Sequence, residues 1–209
     1  MAEQIDRLLA EIRACRKCMV APIGRPLPHE PRPVLRASAT ARLAVVGQAP
    51  GSRVHASGVP FLDPSGDRLR DWMAVTPGEF YDERRVAIVP MGFCFPGLDA
   101  HGSDLPPRRE CAPLWRQRLM AGLPAVELAL VVGSYAQRWH LPEARREPMT
   151  EVVRRWRDWL EPVRDGRPAV LPVPHPSWRN NSWVKRHPWF ETELLPELRA
   201  RVRHLLAAG

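Results

Sequence analysis

Two hundred and nine residues are enough for one ordinary domain with a small appendage. Hydrophobic residues make up 44% and charged residues 26%, within globular averages, which excludes a wholly disordered chain. Net charge is +8, and only Lys17 and Lys185 among the 31 cations are lysines. Arginine forks match phosphates and base edges, so this charge points to nucleic acid, though arginine enrichment also follows from genomic base composition. No apolar run approaches the roughly 20 residues of a membrane span, and MAEQIDRLLA lacks a signal peptide's apolar core. A soluble, cytoplasmic protein without a membrane partner is expected.

Residues 3–14 carry Ile5, Leu8, Leu9 and Ile12 at helical spacing and lead into the C-x-x-C of Cys15 and Cys18. Residues 20–41, rich in Pro and Arg, read as a long ordered loop over the surface. Four short apolar runs follow, each ending in a distinctive turn. They are 42–46 into GQAPG, 86–89 into PMGFC, 128–132 into GSYAQ and 169–173 into PHPSWRN. Helical patterns lie at 65–73, 109–121, 134–139 and 150–160, and residues 188–206 form a last helix. Strands alternating with helices predict a three-layer α/β fold. Its centre is a four-stranded parallel sheet with helices on both faces. No repeat or linker interrupts it, so residues 1–209 read as a single domain. All four turns would then project from the carboxyl edge of the sheet, where open α/β sheets place their crevice.

Four cysteines in a chain without an export signal should not form disulfides. Sixteen residues separate Cys94 from Cys111, so no second C-x-x-C suggests a zinc ribbon, which disfavours a zinc-dependent RNA-binding module. The four thiols fit either an iron–sulfur cluster gathered by the fold or four unrelated buried side chains. GQAPG after a strand fits a phosphate cradle or a plain tight turn. Neither the dinucleotide fingerprint nor the P-loop lysine is present.

The longer segment GQAPGSRVHASGVPFLDPSG resembles the first motif of the uracil-DNA glycosylase superfamily. It is most similar to the family 4 iron–sulfur branch, with GEAPG followed by Gly-x-Pro-Phe; here Gly58, Pro60 and Phe61 stand at those places. GVPF and the following LRDW also resemble the single-strand-selective monofunctional branch. HPSWRNN at 175–181 resembles the second superfamily motif, and the cysteines follow the family 4 order.

The resemblance implies a hydrolase that cleaves the N-glycosidic bond of a deaminated base, uracil by default, flipped out of DNA. It implies that Phe61 stacks on the base and that Gly47, Gln48 and Ala49 line its pocket. His175 would donate to a base carbonyl as negative charge develops there. Ser177, Trp178, Arg179 and Asn180 would meet DNA, with Trp178 as the wedge filling the vacated stack, although its residue type alone also fits cover for the core. Asn181, Lys185 and Arg186 would extend that rim. Cys15, Cys18, Cys94 and Cys111 would hold a [4Fe–4S] cluster in a subsite built by the N-terminal segment and loops. A monomer acting on single- or double-stranded DNA is expected.

Three positions depart from the family 4 pattern. Gln48 replaces the motif glutamate and cannot be a general base, Ala49 carries no polar group, and Pro90 replaces the asparagine that reads uracil. His55, Asp63 and His101 are the nearby substitutes. These departures favour a second reading, a glycosylase-fold protein that binds damaged or abasic DNA without turnover.

Overall fold

Runs of three to five residues, all Val, Leu, Ile or Ala except Pro172 and buried along their whole length, pair into one all-parallel sheet. The strands are β1 (Leu43–Val46), β2 (Val86–Ile88), β3 (Leu128–Val132) and β4 (Ala169–Val173), in the order β2-β1-β3-β4. Leu43 stands level with Val86 on one side and Leu128 on the other, and Leu128 with Ala169. The chain leaves β1 toward β2 and then returns past β1 to β3. The strand order therefore reverses between β1 and β3, which opens a crevice at their carboxyl ends. The computed structural model describes residues 2–160 and 167–207; the other residues of the expected 1–209 domain lie outside these.

Side chains alternate across the sheet with the period of two that a pleat imposes. Leu43, Val45, Ile88, Leu130 and Leu171 face one core with Leu69, Trp72, Phe80, Phe190, Leu194 and Leu198. Ala44, Val46, Ala87, Ala129 and Val131 face the other, with Ile5, Leu9, Ile12, Trp115 and Leu119. Small alanines on this second face let the helices there approach closely. The expected three-layer α/β fold is the one observed.

The helices are α1 (Ala2–Arg13), α2 (Lys17–Val20), α3 (Ser52–Ser57), α4 (Pro64–Met73), α5 (Pro77–Tyr81), α6 (Cys111–Ala121) and α7 (Ser134–His140). They continue with α8 (Met149–Arg154), α9 (Trp156–Trp159), α10 (Asn181–Arg186) and α11 (Leu195–Ala207). Burial of Ile5, Leu8, Leu9 and Ile12 fixes α1 on the sheet, each side chain contributing about 1.5–3 kcal/mol. At Gly122 the bare backbone lets Ile5 pack close, since a Cβ there would lie 2.9 Å from Ile5 Cδ1. This packing sets Cys15, just beyond α1, beside α6.

Three expectations need correction. The 20–41 loop buries Leu27, Val34, Leu35 and Ala37, and Arg36 bridges antiparallel to Ile88, so it also caps the sheet edge. The single helix over 150–160 is two, breaking at Arg155, whose backbone (φ −88°, ψ 23°) leaves the helical well. The last helix opens as a π-helix over Phe190–Leu194. Pro196 has no N–H for the carbonyl one turn back, and the widened turn precedes it. No helix among the described residues is long and apolar enough to cross a membrane.

Candidate active site

A cavity of about 470 Å³ opens at the carboxyl ends of the strands, and all four sequence turns except GSYAQ line it. Gly47 and Gln48 leave β1 with their carbonyls accepting from the Met91 and Gly92 amides, both at 2.9 Å, which zips the first two turns together. A Cβ at Gly47 would lie 3.0 Å from Phe61 Cζ, so the aromatic ring rests against bare backbone.

Phe61 holds a left-handed backbone, φ 55°, costly for a bulky residue. Its carbonyl accepts from Tyr81 Oη at 3.2 Å and Arg70 Nη1 at 3.3 Å, and its ring meets Phe80 edge-on at 6.1 Å. Gly66 makes the bend possible, since a Cβ there would fall 1.8 Å from the Phe61 carbonyl oxygen. The strain is held by surrounding contacts and presents one aromatic face to the cavity.

His175 follows β4 and lines the same cavity. Its carbonyl accepts from Asn180 Nδ2 at 2.7 Å. Burial lowers its pKa below the usual histidine value, opposed by nearby Asp63 and reinforced by Arg179. The imidazole is therefore neutral at pH 7 and offers one N–H. Asp63 caps α4 by accepting from the Gly66 amide at 2.8 Å.

Trp178 is 74% exposed on the rim, which excludes its alternative role as core cover. Arg179 stands 5.7 Å from the Trp178 ring and donates to Ser103 Oγ at 3.1 Å. Arg68 anchors the loop by donating to the Ser177 carbonyl at 3.2 Å. Gln48, Ala49, Ser177 and Asn180 also line the cavity, although Asn180 commits its amide to His175. His55 does not join them. It packs against His29, with ring centres 4.2 Å apart, and against Phe95. His101 is exposed on its loop and is not in the lining.

Asp104 was not singled out by any sequence pattern; it sits in a Gly/Pro-rich loop without periodicity. It stands at the cavity mouth, where a Cβ on Gly51 would lie 3.1 Å from Asp104 Oδ2. Burial raises its pKa, Arg179 opposes the rise and Asp63 adds to it. Two carboxylates thus face the cavity that holds His175.

The four cysteines, distant in sequence, line one small cavity together with Ile12, Phe93, Trp115 and Arg108. None is in a disulfide. Burial pushes the Cys94 and Cys111 thiols up to about 12, with neighbouring thiols adding to the shift. Among the described residues, no three His, Cys, Asp or Glu side chains are grouped to hold a single metal ion. Arg116, one and a half turns along α6 from Cys111, is 1% exposed and was also missed. It donates through Nη2 to the Val89 carbonyl at 2.7 Å and to that of Pro90, while Nε and Nη1 have no partner. A buried cation with no carboxylate beside the thiols is a costly arrangement, and no local pattern in the sequence marks it.

The sequence model described as Uracil DNA glycosylase superfamily matches residues 36–199. That span holds all four strands and every residue of the cavity except Val34, and leaves Cys15 and Cys18 outside. The chain belongs to the uracil DNA glycosylase superfamily, whose members are DNA glycosylases.

Proposed function

We propose that this chain is a monofunctional DNA glycosylase that hydrolyses the N-glycosidic bond of a deaminated base, uracil by default, flipped from DNA. It acts as a monomer of one domain. The observation that carries this reading is the meeting of Phe61, held on a strained backbone, and the neutral His175 in one cavity. The base stacks on Phe61, beside Gly47, Gln48 and Ala49. The bond between C1′ and the base nitrogen breaks with its electron pair going to the base, and the His175 N–H stabilises the resulting anion. Water adds to C1′ and loses a proton.

Gln48 cannot take that proton, and Asp104 is the carboxylate best placed to do so. Because the sugar cation forms before water attacks, Asp104→Asn should cost less than loss of His175. The wild-type rate should fall as pH drops through the raised Asp104 pKa, where the carboxylate becomes protonated. That acidic limb should vanish in Asp104→Asn; an unchanged limb assigns the role elsewhere.

Trp178→Ala should weaken excision most from well-paired duplexes and least from single strands. Flipping from a duplex costs a few kcal/mol of pairing and stacking, which an inserted side chain partly offsets. Equal losses on paired, mismatched and single-stranded uracil would remove the wedge role.

In the same reading, Cys15, Cys18, Cys94 and Cys111 hold a [4Fe–4S] cluster. Their common cavity and the unpaired Arg116 cation support an anionic occupant there. When bound, the cluster ties the segment after α1 to the loop between β2 and α6.

The test of the activity is single-turnover cleavage of uracil, hypoxanthine and xanthine oligonucleotides, revealed by alkali on a gel, beside a binding assay. Cleavage supports turnover. A stable complex without cleavage supports the damaged-DNA binder, which Pro90 favours because it offers no side-chain donor to uracil.

A further inference from the structure

A second concavity, about 840 Å³, is built in part from the same two chain segments as the candidate active site. Pro90 and Asp104 line the first cavity, and their chain neighbours Met91 and Leu105 line the second. Its floor and sides are apolar: Tyr135 and Trp139, one turn apart on α7, are 36% and 41% exposed. Prolines of the 106–107, 113 and 142 positions form its stiff walls. No acidic side chain lines it, while Arg109, Arg138 and Arg145 do, and none of these three has an ion-pair partner among the described residues. Elsewhere on the surface some arginines are ion-paired, as Arg118 is with Glu11 and Arg157 with Glu193.

We propose that this groove binds single-stranded nucleic acid, as the continuation of the strand that delivers a base to the first cavity. Unpaired guanidiniums attract phosphates, and stacked aromatic faces take bases of any sequence. Paired bases have both faces occupied by their neighbours, so the aromatic pair selects for unstacked strand over duplex. An acidic protein partner would use the arginines and leave Tyr135 and Trp139 unexplained. A second copy of this basic chain would bring like charge to the groove. The proposal relies on the glycosylase reading only for where the strand leads.

The test measures fluorescence anisotropy of a labelled, uracil-free single strand of twenty nucleotides, and of its duplex, so that it does not depend on turnover. Trp139→Ala should weaken single-strand binding about tenfold, one stacked base being worth roughly 1–3 kcal/mol. The double variant Arg138→Glu and Arg145→Glu should reduce the salt slope by about 1.4, roughly 0.7 for each phosphate contact on a single strand. Neither variant should change excision from a uracil trinucleotide, too short to reach the groove. All three positions are on the surface, and thermal melting verifies that each variant folds.

Unchanged single-strand affinity in a folded variant overturns the proposal. So does an equal loss on duplex and single strand, which would mean diffuse attraction. A change in sedimentation without a change in nucleic-acid affinity also overturns it and makes the groove a contact between copies. Absence of excision in the wild type with these binding effects intact would defeat the glycosylase reading alone.

Discussion

Replacing His175 by Ala should lower single-turnover excision by about 10² or more and leave DNA affinity nearly unchanged. The expectation follows from where the side chain stands and what form it takes. Burial keeps the imidazole neutral, so it donates one N–H without bringing a charge that would have to be desolvated when DNA closes the cavity. Removing one preorganised donor to a developing anion typically costs roughly 3–4 kcal/mol. The ground-state base gains little from that bond, so affinity changes little. Because the histidine pKa is lowered, protonation begins only on the acid side of its ordinary range. The deficit should therefore be constant from neutral pH upward. His175→Gln, which restores an N–H donor, should recover part of the loss. Full wild-type rates in His175→Ala would assign the anion to another donor, such as Gln48, which also lines the cavity.

The sheet was legible because parallel strands buried on both faces must be short continuous apolar runs, and each here ended in an unusual turn. Their shared edge followed from topology, and with it the meeting of GQAPG, Phe61 and HPSWRNN at one cavity. The capped helix α5 was legible but unread: Thr76 and Glu79 form a capping box, with the Thr76 amide donating to Glu79 Oε2 at 2.8 Å. Asp104 and Arg116 were not legible. Each gains meaning from a partner distant in sequence, Gly51 for one and the thiol cavity for the other, and neither lies in a periodic or motif-bearing segment. The exposed Trp178 illustrates the middle case. Its type suggested either a core or a wedge, and only its surroundings separate the two.

Arg116 offers the sharpest physical test of what occupies the thiol cavity, because the consequence of removing it depends on the occupant. In protein without iron, the Cys94 and Cys111 thiols are protonated at pH 7, since burial pushes them up to about 12. The guanidinium then has no counter-charge, and its own pKa is pulled down to about 10 by burial. The same burial, with Arg116 adding to it, lowers the pKa of neighbouring His140 to about 3, so no second charge lies close by. Arg116→Met removes that desolvation cost but also two hydrogen bonds to the Val89 and Pro90 carbonyls, each worth roughly 1.5–3 kcal/mol when the donor is charged. The two effects are of similar size, so stability of the iron-free form should change little. With a cluster held by four thiolates, the same substitution strips an anion of a fully buried cation that acts on Cys111, and breaking such a pair costs about 3–5 kcal/mol. The loaded protein should therefore lose far more thermal stability than the stripped one, and should release iron on gel filtration. Melting temperature and iron content of both forms, for wild type and Arg116→Met, provide the measurement. Equal losses in the two forms would show that Arg116 serves the Val89–Pro90 turn alone, and stoichiometric zinc in place of iron in protein made with ample iron would show that the cavity holds no iron–sulfur cluster.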